Sequence, residues 1–238
     1  MAIYVMADLH LATANSQKSM EVFGKRWINY IEKINKNWTA LIGALDTVII
    51  PGDISWALTV EEAKSDLLWL ESLPGKKILL KGNHDFWWST TSKINAFFDA
   101  NNISSITVLN NNAVLVEDRI IAGSRGWFTD KSMQNTDENV DYEKIINREA
   151  IRLNLSLQCA SELNGETEKE IIAFLHFPPV WSGYVCEPIL NVLKKYNVQR
   201  CYFGHIHGNY SQPEQFEYDS IKFYMISADY LDFLPKIV

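Results

Sequence analysis

Cysteine is scarce in this sequence. The 238 residues include three cysteines, Cys159, Cys186 and Cys201, which are widely spaced and form no C-x-x-C pair. An odd number of scattered cysteines gives no support to a disulfide framework or to a zinc site built from thiolates. We therefore expect these cysteines to be buried free thiols.

Long apolar runs and basic clusters are also missing. No segment approaches the ~18 apolar residues that a membrane helix needs, so no membrane partner is expected. The 22 basic and 29 acidic residues give a formal net charge of −7, which argues against tight non-specific binding to nucleic acid. The chain begins with the strand-like residues 1–5 and has no basic region ahead of a long apolar stretch, so we expect no secretory signal and a cytoplasmic location.

The apolar pattern alternates between short strands and amphipathic helices. Strands are predicted at 3–7, 47–50, 77–80, 171–175, 200–203 and 221–226. Helices are predicted at 17–37, from 59 to the Pro74-Gly75 turn, and at 92–100, 140–163 and 188–196. Three closely spaced strands at 106–109, 113–116 and 119–122 suggest an antiparallel sheet, and 129–139 has the composition of a loop. This order predicts an α/β sandwich with mixed sheets, in one domain that covers residues 1–238.

All five histidines lie in short clusters with carboxylates, an amide or glycine. The clusters are Asp8-Leu9-His10, Gly82-Asn83-His84-Asp85, His176 and Gly204-His205-Ile206-His207, and Gly52-Asp53 completes the set. Each begins directly after a predicted strand, and ligands of α/β proteins collect at the carboxyl ends of strands. Taken singly, the Asp8 and Asp53 clusters favour a turn and His176 favours a core histidine, while each of the other two clusters can be a hydrogen-bonded loop. The ordered series instead predicts one metal site, with ligands that suit Zn, Mn or Fe.

The ordered clusters resemble those of the calcineurin-like metallophosphoesterases, whose signature is D-x-H, G-D, G-N-H-[DE], H and G-H-x-H. The resemblance extends from Asp8 to His207. It implies a four-layer αββα fold, in which two mixed β-sheets are sandwiched and flanked by helices. It also implies a centre of two divalent or mixed-valence metal ions, Mn, Fe or Zn, with Asp53 as the bridge. Asp8, His10 and His207 would complete one coordination site, and Asn83, His176 and His205 the other.

The resemblance gives His84 a catalytic role without metal binding. In the family this histidine contacts the phosphate or protonates the leaving oxygen, and an imidazole with an ordinary pKa of ~6.5 suits that task. The neighbouring Asp85 has two equal interpretations. It either orients His84 or accepts hydrogen bonds from the following turn.

Three further residues are candidates for contact with a substrate. Arg125 follows a strand and is close to glycines, so its guanidinium can hold phosphate oxygens, although a surface ion pair explains it equally well. Trp181 and Tyr184 lie in a loop that begins at Pro178-Pro179 and can stack on a flat organic group. Packing around the metal loops is the alternative for most of the aromatic residues near the motifs.

Departures from the signature of protein phosphatases narrow the expected substrate. The sequence Gly52-Asp53-Ile54-Ser55-Trp56 lacks the G-D-x-x-D-R-G pattern, and Asp85 stands where those enzymes have glutamate. The pattern is closer to the prokaryotic phosphohydrolase and cyclic-nucleotide phosphodiesterase branch. We expect a metal-dependent hydrolase of a small phosphate ester, a phosphodiester or nucleotide-like compound. The alternatives are a general phosphomonoesterase and a non-catalytic scaffold, but a scaffold is expected to lose His84 or several ligands.

Overall fold

The first of two large sheets contains mostly parallel strands. The computed structural model describes residues 1–13, 18–128, 141–165 and 168–238. The strand order is β13-β1-β2-β3-β4, and only β13 runs antiparallel to its neighbour. The strands are β1 (Ile3–Val5), β2 (Thr47–Pro51), β3 (Lys76–Leu80), β4 (Ile106–Val108) and β13 (Lys236–Ile237).

The second sheet is mixed, with a parallel centre and antiparallel edges. Its order is β11-β12-β10-β7-β6-β5, and the pairs β11–β12 and β5–β6 are antiparallel. The strands are β5 (Val114–Val116), β6 (Arg119–Ser124), β7 (Glu170–Leu175), β10 (Arg200–Phe203), β11 (Gln215–Tyr218) and β12 (Ile221–Met225). A separate short hairpin joins β8 (Val180–Trp181) to β9 (Tyr184–Val185).

Alternate residues of the strands face two different apolar layers. In β2, Ile49 faces the layer between the two sheets, whereas Val48 and Ile50 face the helices outside the first sheet. In β7, Phe174 faces the layer between the sheets and Ala173 the helices outside the second sheet. Strands that are buried on both faces read as continuous apolar runs, which is why the sequence reveals them so readily.

Helices cover both outer faces. The first sheet is covered by α1 (Tyr30–Leu41), α2 (Lys64–Ser72) and α3 (Thr91–Ala100), and the second by α4 (Tyr142–Asn164) and α5 (Glu187–Lys195). The result is helix, sheet, sheet, helix, so the predicted four-layer αββα arrangement is confirmed. No helix in the described ranges is long and apolar enough to span a membrane.

Two predictions of secondary structure were wrong in detail. The helix predicted at 17–37 is instead a pair of 3-10 turns, Met20–Phe23 and Lys25–Trp27, followed by α1. Gly24 separates the turns with a φ of 134°, a backbone conformation that stops a helix. The three strands after residue 105 do not form one antiparallel sheet either. β4 extends the first sheet in parallel, while only β5 and β6 form an antiparallel hairpin. The loop predicted at 129–139 lies outside the described residues.

Candidate metal centre

The clusters singled out in the sequence follow strands of both sheets. Asp8 follows β1, Asp53 follows β2, Asn83 follows β3, His176 follows β7 and His205 follows β10. A parallel bridge between Ala7 and Ser227 brings the end of β1 next to the end of β12, so the carboxyl ends of the two sheets meet. The five loops therefore converge on one place.

Two groups of ligand-type atoms form there. The first contains Asp8, His10 and His207, and the second contains Asp53, His176 and His205; in each group the atoms lie within 4.8 Å of one another. Nε2 of His10 is 3.3 Å from Nε2 of His207. Donor atoms at 2.0–2.1 Å from a tetrahedral ion are separated by about 3.3 Å, so this spacing fits a shared cation.

Asn83 and Asp53 extend these groups. The side-chain oxygen of Asn83 lies 2.6 Å from Nε2 of His176, which places the amide beside the second group. Oδ2 of Asp53 is 3.4 Å from Nε2 of His176 and 3.6 Å from Nε2 of His10. One carboxylate oxygen thus lies next to a histidine of each group, the position that a bridging ligand requires.

The loops adopt a strained backbone to present these side chains. Asp8, His10, Asp53 and His205 have φ values of 61°, 44°, 52° and 69°. Residues with side chains rarely adopt this left-handed region, at a cost on the order of 1 kcal/mol each. Backbone hydrogen bonds hold the strain, including Asp8 N to the Gly52 carbonyl at 3.0 Å and His10 N to the Asp53 carbonyl at 2.9 Å. Such clustering of strained residues is typical of functional sites.

Glycines in the motifs allow neighbouring loops to approach. A Cβ atom on Gly82 would collide with the backbone nitrogen and Oδ1 of Asp53, and one on Gly204 would lie 2.5 Å from Oδ2 of Asp8. The absent side chains leave room for the carboxylates of other motifs. This explains why glycine precedes Asn83 and His205 in the sequence.

Burial makes the site electrostatically incomplete without a cation. Asp8, Asp53 and His176 are at most 1% exposed. Burial raises the pKa of Asp8 to about 6 and raises the pKa of Asp53 well above its ordinary range. Burial, with the neighbouring His207 and His84, lowers the pKa of His205 to about 3, which favours the neutral imidazole that binds metals.

Several buried polar atoms at the site also lack hydrogen-bond partners. Oδ1 of Asp8, Nδ1 of His10 and Nδ1 of His176 are buried and accept or donate no hydrogen bond. A buried polar atom without a partner costs roughly 1–3 kcal/mol. The unused lone pairs of Asp8, together with the facing Nε2 atoms of His10 and His207, fit a divalent cation, so the residues present suit the centre that the sequence predicted.

His84 lies beside both groups without belonging to either. Its backbone nitrogen donates a 2.8 Å hydrogen bond to Oδ1 of Asp53, while its ring lines the same pocket of about 320 Å³ as His10 and His207. The ring centroid is 4.4 Å from that of Trp56. Burial and the nearby His207 lower the pKa of His84. The imidazole is therefore positioned to contact a molecule held at the two groups.

Asp85 joins two loops, a role that neither of its two interpretations predicted. Its Oδ1 accepts hydrogen bonds from the backbone nitrogens of Ile54 and Ser55 at 2.9 and 3.2 Å and from the Trp87 indole at 2.9 Å. Its Oδ2 accepts from Gly82 N at 2.8 Å. Asp85 thereby ties the loop that carries Asp53 to the loop that carries Asn83.

Comparison with known proteins agrees with this geometry. Residues 1–209 match the calcineurin-like phosphoesterase family. The chain belongs to the calcineurin-like phosphoesterases. No curated protein sequence matches it significantly.

Solved structures with the same fold resemble this phosphoesterase at low sequence identity. A protein from Thermus thermophilus has a TM-score of 0.59 at 13% identity, with 96% of this chain and 89% of that chain covered. A phosphopantetheinyl hydrolase from Mycobacterium tuberculosis has a TM-score of 0.56 at 12% identity, with 100% and 95% covered. A protein of unknown function from Aquifex aeolicus has a TM-score of 0.50 at 16% identity, with 99% and 95% covered. At these identities the likeness concerns the fold.

The structure places Arg125 apart from the two aromatic candidates for substrate contact. Arg125 forms an ion pair of 3.0 Å with the buried Glu149, and its guanidinium lies 4.7 Å from the ring centroid of Trp127. Arg125 therefore forms an ion pair, as one interpretation predicted, but the pair is half-buried and does not lie on the surface. The carbonyl of Arg125 accepts a 3.1 Å hydrogen bond from the backbone nitrogen of His176. A contact between its side chain and phosphate stays a prediction.

Trp181 and Tyr184 form the short β8–β9 hairpin. The Trp181 ring packs 5.8 Å from Phe203 and 6.4 Å from Phe216 and lines a separate cavity of about 320 Å³. Neither Trp181 nor Tyr184 is among the described residues that line the pocket of His10 and His84. Their contact with a substrate stays a prediction.

Asp229 is a site residue that the sequence did not predict. This buried carboxylate accepts a 2.7 Å hydrogen bond from Nδ1 of His207, and its other oxygen accepts from Gly208 N at 3.1 Å and the Tyr210 hydroxyl at 3.0 Å. A signal was present, since Asp229 follows a predicted strand as the other clusters do. It was overlooked because no motif surrounds it.

Proposed function

We propose that this chain hydrolyses a small phosphate ester, a phosphodiester or nucleotide-like compound, with two metal ions held by the seven ligands. Asp8, His10 and His207 hold one ion, Asn83, His176 and His205 hold the other, and Asp53 binds both. One observation carries the proposal: Oδ2 of Asp53 lies 3.4 and 3.6 Å from histidines of two separate ligand groups. The mixture of imidazole, carboxylate and amide donors suits Mn, Fe or Zn.

The residues around the pair divide the chemical tasks. A pair of divalent ions polarises phosphoryl oxygens and lowers the pKa of water. Asp53 offsets the repulsion between the cations, and the neutral amide of Asn83 leaves the site net positive. His84 donates a proton to the leaving oxygen or a hydrogen bond to the phosphate. Its backbone link to Asp53 fixes that ring relative to the ligands.

A panel of substrates with controlled metal content tests this function. Metal-free protein is reloaded with Mn, Fe, Zn or Mg and assayed with phosphomonoesters, phosphodiesters and cyclic nucleotides. We expect metal-dependent release of alcohol, with the diester or nucleotide-like compounds turned over best. A preference for simple monoesters would favour the general phosphomonoesterase. Absence of turnover with every ester and metal would favour the scaffold.

His10→Ala provides the control for contaminating phosphatases. It removes a ligand of one ion, so turnover by the variant should fall to background in parallel purifications. Activity that persists in this variant at the level of the unmodified protein would come from another enzyme.

A further inference from the structure

A groove of about 680 Å³ lies beside the metal pocket. Its walls come from the loops that follow β2 and β3 and from one face of α3. Most of the lining residues are apolar, and they include Leu58, Val60, Phe86, Trp88 and Phe97. Lys93 is one of the polar residues in the lining. A volume of this size is typical of pockets that hold small organic molecules.

Phe86 connects the groove to the proposed acid. Its ring centroid is 6.3 Å from that of His84, with the planes at 78°. The side chain is 60% exposed, and Leu58 on the other loop is 56% exposed. Two large apolar side chains on separate loops thus present their surfaces to one groove next to the metal centre.

The position of His84 decides which part of a substrate reaches this groove. A general acid must lie within hydrogen-bond distance of the leaving oxygen. Trp56 closes one side of the His84 ring at 4.4 Å, and Phe86 stands at another side. An alcohol that receives its proton from His84 therefore has Phe86 as a neighbour.

We propose that the groove binds the leaving alcohol of the substrate and that this alcohol carries a flat aromatic group that stacks on Phe86. The proposal rests on the phosphoesterase function proposed above. In the hydrolysis, a water oxygen bonds to phosphorus, the bond from phosphorus to the leaving oxygen breaks, and His84 gives a proton to the released alcohol. The proton that the water loses passes through solvent and restores the one that His84 gave. The aromatic rings of Phe86, Trp88 and Phe97 favour a flat group, because stacking on an aromatic face is worth more than area burial alone.

Charge in the groove is balanced. Lys93 and Glu61 both line it, so the aromatic group is expected to be neutral. The cavity that contains Trp181 is the other aromatic candidate. The described linings of both spaces include no ligand of either group and not His84. The groove differs because its Phe86 contacts the His84 ring at 6.3 Å between centroids. The groove is therefore the better candidate for the organic part of the substrate.

Leaving groups of different size test the proposal. Kinetics with phenyl and 2-naphthyl phosphates, and with the corresponding methyl diesters, compare aryl alcohols of similar acidity. Phe86→Ala should lower kcat/KM for the naphthyl compound by about 5- to 100-fold, the range of one aromatic stacking contact. The same variant should show a clearly smaller decrease in kcat/KM for the phenyl compound. Tyr218→Ala is the matched control, because Tyr218 is a 38% exposed aromatic residue on β11, at the end of the sheet opposite the site.

A second variant fills the groove instead of widening it. Leu58→Trp should lower kcat/KM for the naphthyl ester by a larger factor than for the smaller phenyl ester. Equal effects of Phe86→Ala on both leaving groups, together with unchanged naphthyl turnover in Leu58→Trp, would overturn the proposal.

Equilibrium binding separates this proposal from the function on which it rests. Calorimetry with 2-naphthyl phosphonate and methyl phosphonate requires no turnover. Phe86→Ala should weaken the binding of 2-naphthyl phosphonate and leave the binding of methyl phosphonate unchanged. If metal-loaded protein hydrolyses no ester but this difference in binding persists, the proposed function is wrong and the groove assignment stands. If turnover occurs but both phosphonates respond equally, the groove assignment is wrong.

Discussion

Asp229 accepts a 2.7 Å hydrogen bond from Nδ1 of His207, which leaves Nε2 of the same ring directed toward Nε2 of His10. Burial opposes charge on both partners. Burial is outweighed only by several effects together: their hydrogen bond and mutual attraction, the charge of Asp8 near His207, and the hydrogen bonds from Gly208 and Tyr210 to Asp229. The pKa of Asp229 is therefore lowered and that of His207 is raised. The carboxylate fixes the tautomer and the orientation of a proposed metal ligand, an arrangement that strengthens metal binding in general.

Asp229→Asn is expected to weaken the binding of one metal ion. The affinity at the Asp8, His10 and His207 group should fall by about 10- to 100-fold, while the second ion should bind as before. Titration of metal-free protein with Mn or Zn measures both. Asp232→Asn is the control, because the Asp232 side chain is 73% exposed and its ion pair with Arg26 is long, at 3.7 Å. Equal losses in the two variants would show that Asp229 does not act through His207.

Replacing His84 should separate chemistry from metal binding. His84→Ala or His84→Asn is expected to keep two ions bound and to lower turnover by roughly 10²- to 10⁴-fold, the usual effect of a general acid. The loss should be smaller for a nitrophenolate leaving group, which departs without a proton, than for an alkoxide. Equal losses for both esters would assign His84 to phosphate positioning instead, and loss of metal would make it a ligand.

Gly204→Ala should damage the site through steric contact. The added methyl group would lie 2.5 Å from Oδ2 of Asp8, the atom that accepts the backbone nitrogen of His205 at 2.8 Å. We expect weaker metal binding and a loss of stability of about 1–3 kcal/mol. Gly43→Ala meets only an ordinary 3.5 Å contact with Asp46, so thermal unfolding of the two variants side by side isolates the effect. The prediction fails if Gly204→Ala behaves like Gly43→Ala.

Lys77 should make the free energy of unfolding depend on pH in the alkaline range. The side chain is fully buried, and its ammonium donates to the carbonyl of Leu73 and to the Ser105 hydroxyl. Burial lowers its pKa from 10.5 to about 8. Between these values the unfolded chain holds a proton that the folded chain releases, so stability attributable to Lys77 rises with pH.

Lys77→Met removes this contribution. The free energy of unfolding of the native protein should therefore increase relative to Lys77→Met as the pH rises from about 8 to about 10.5. Urea denaturation across this interval measures the difference. Lys76→Met, at the exposed neighbouring position, should show no such change. A pH-independent difference for Lys77→Met would contradict the lowered pKa.

The sequence alone predicted the central elements because their physical signals are local. Strands such as β2 and β7 are buried on both faces, so their apolar runs stand out, and the polar clusters directly after them mark the edge where the loops meet. The family match confirmed the resemblance drawn from those clusters. The order of the clusters along the chain was enough to place Asp53 near the other ligands. It was not enough to predict the distances from Asp53 to the histidines.

Other features depend on tertiary contacts that a sequence does not display. The strand partners of β4 and β5 are set by which sheet has a free edge. The closely spaced strands predicted at 106–122 were therefore expected in one sheet, although they divide between two. The helix predicted at 17–37 is interrupted at Gly24, with a φ of 134°, and again at Asn29, with a φ of 55°. Phe86 and Leu58 line one groove although 28 positions separate them.

The position of Asp53 between two cations is tested most directly by anomalous diffraction from crystals of the protein loaded with Mn. The account predicts two peaks per chain, one beside Asp8, His10 and His207 and one beside Asn83, His176 and His205, with Asp53 contacting both. Crystals of Asp53→Asn under the same conditions should lose occupancy at both peaks, whereas His10→Ala should lose mainly the first. A single peak in the unmodified protein, or two peaks at full occupancy in Asp53→Asn, would contradict it.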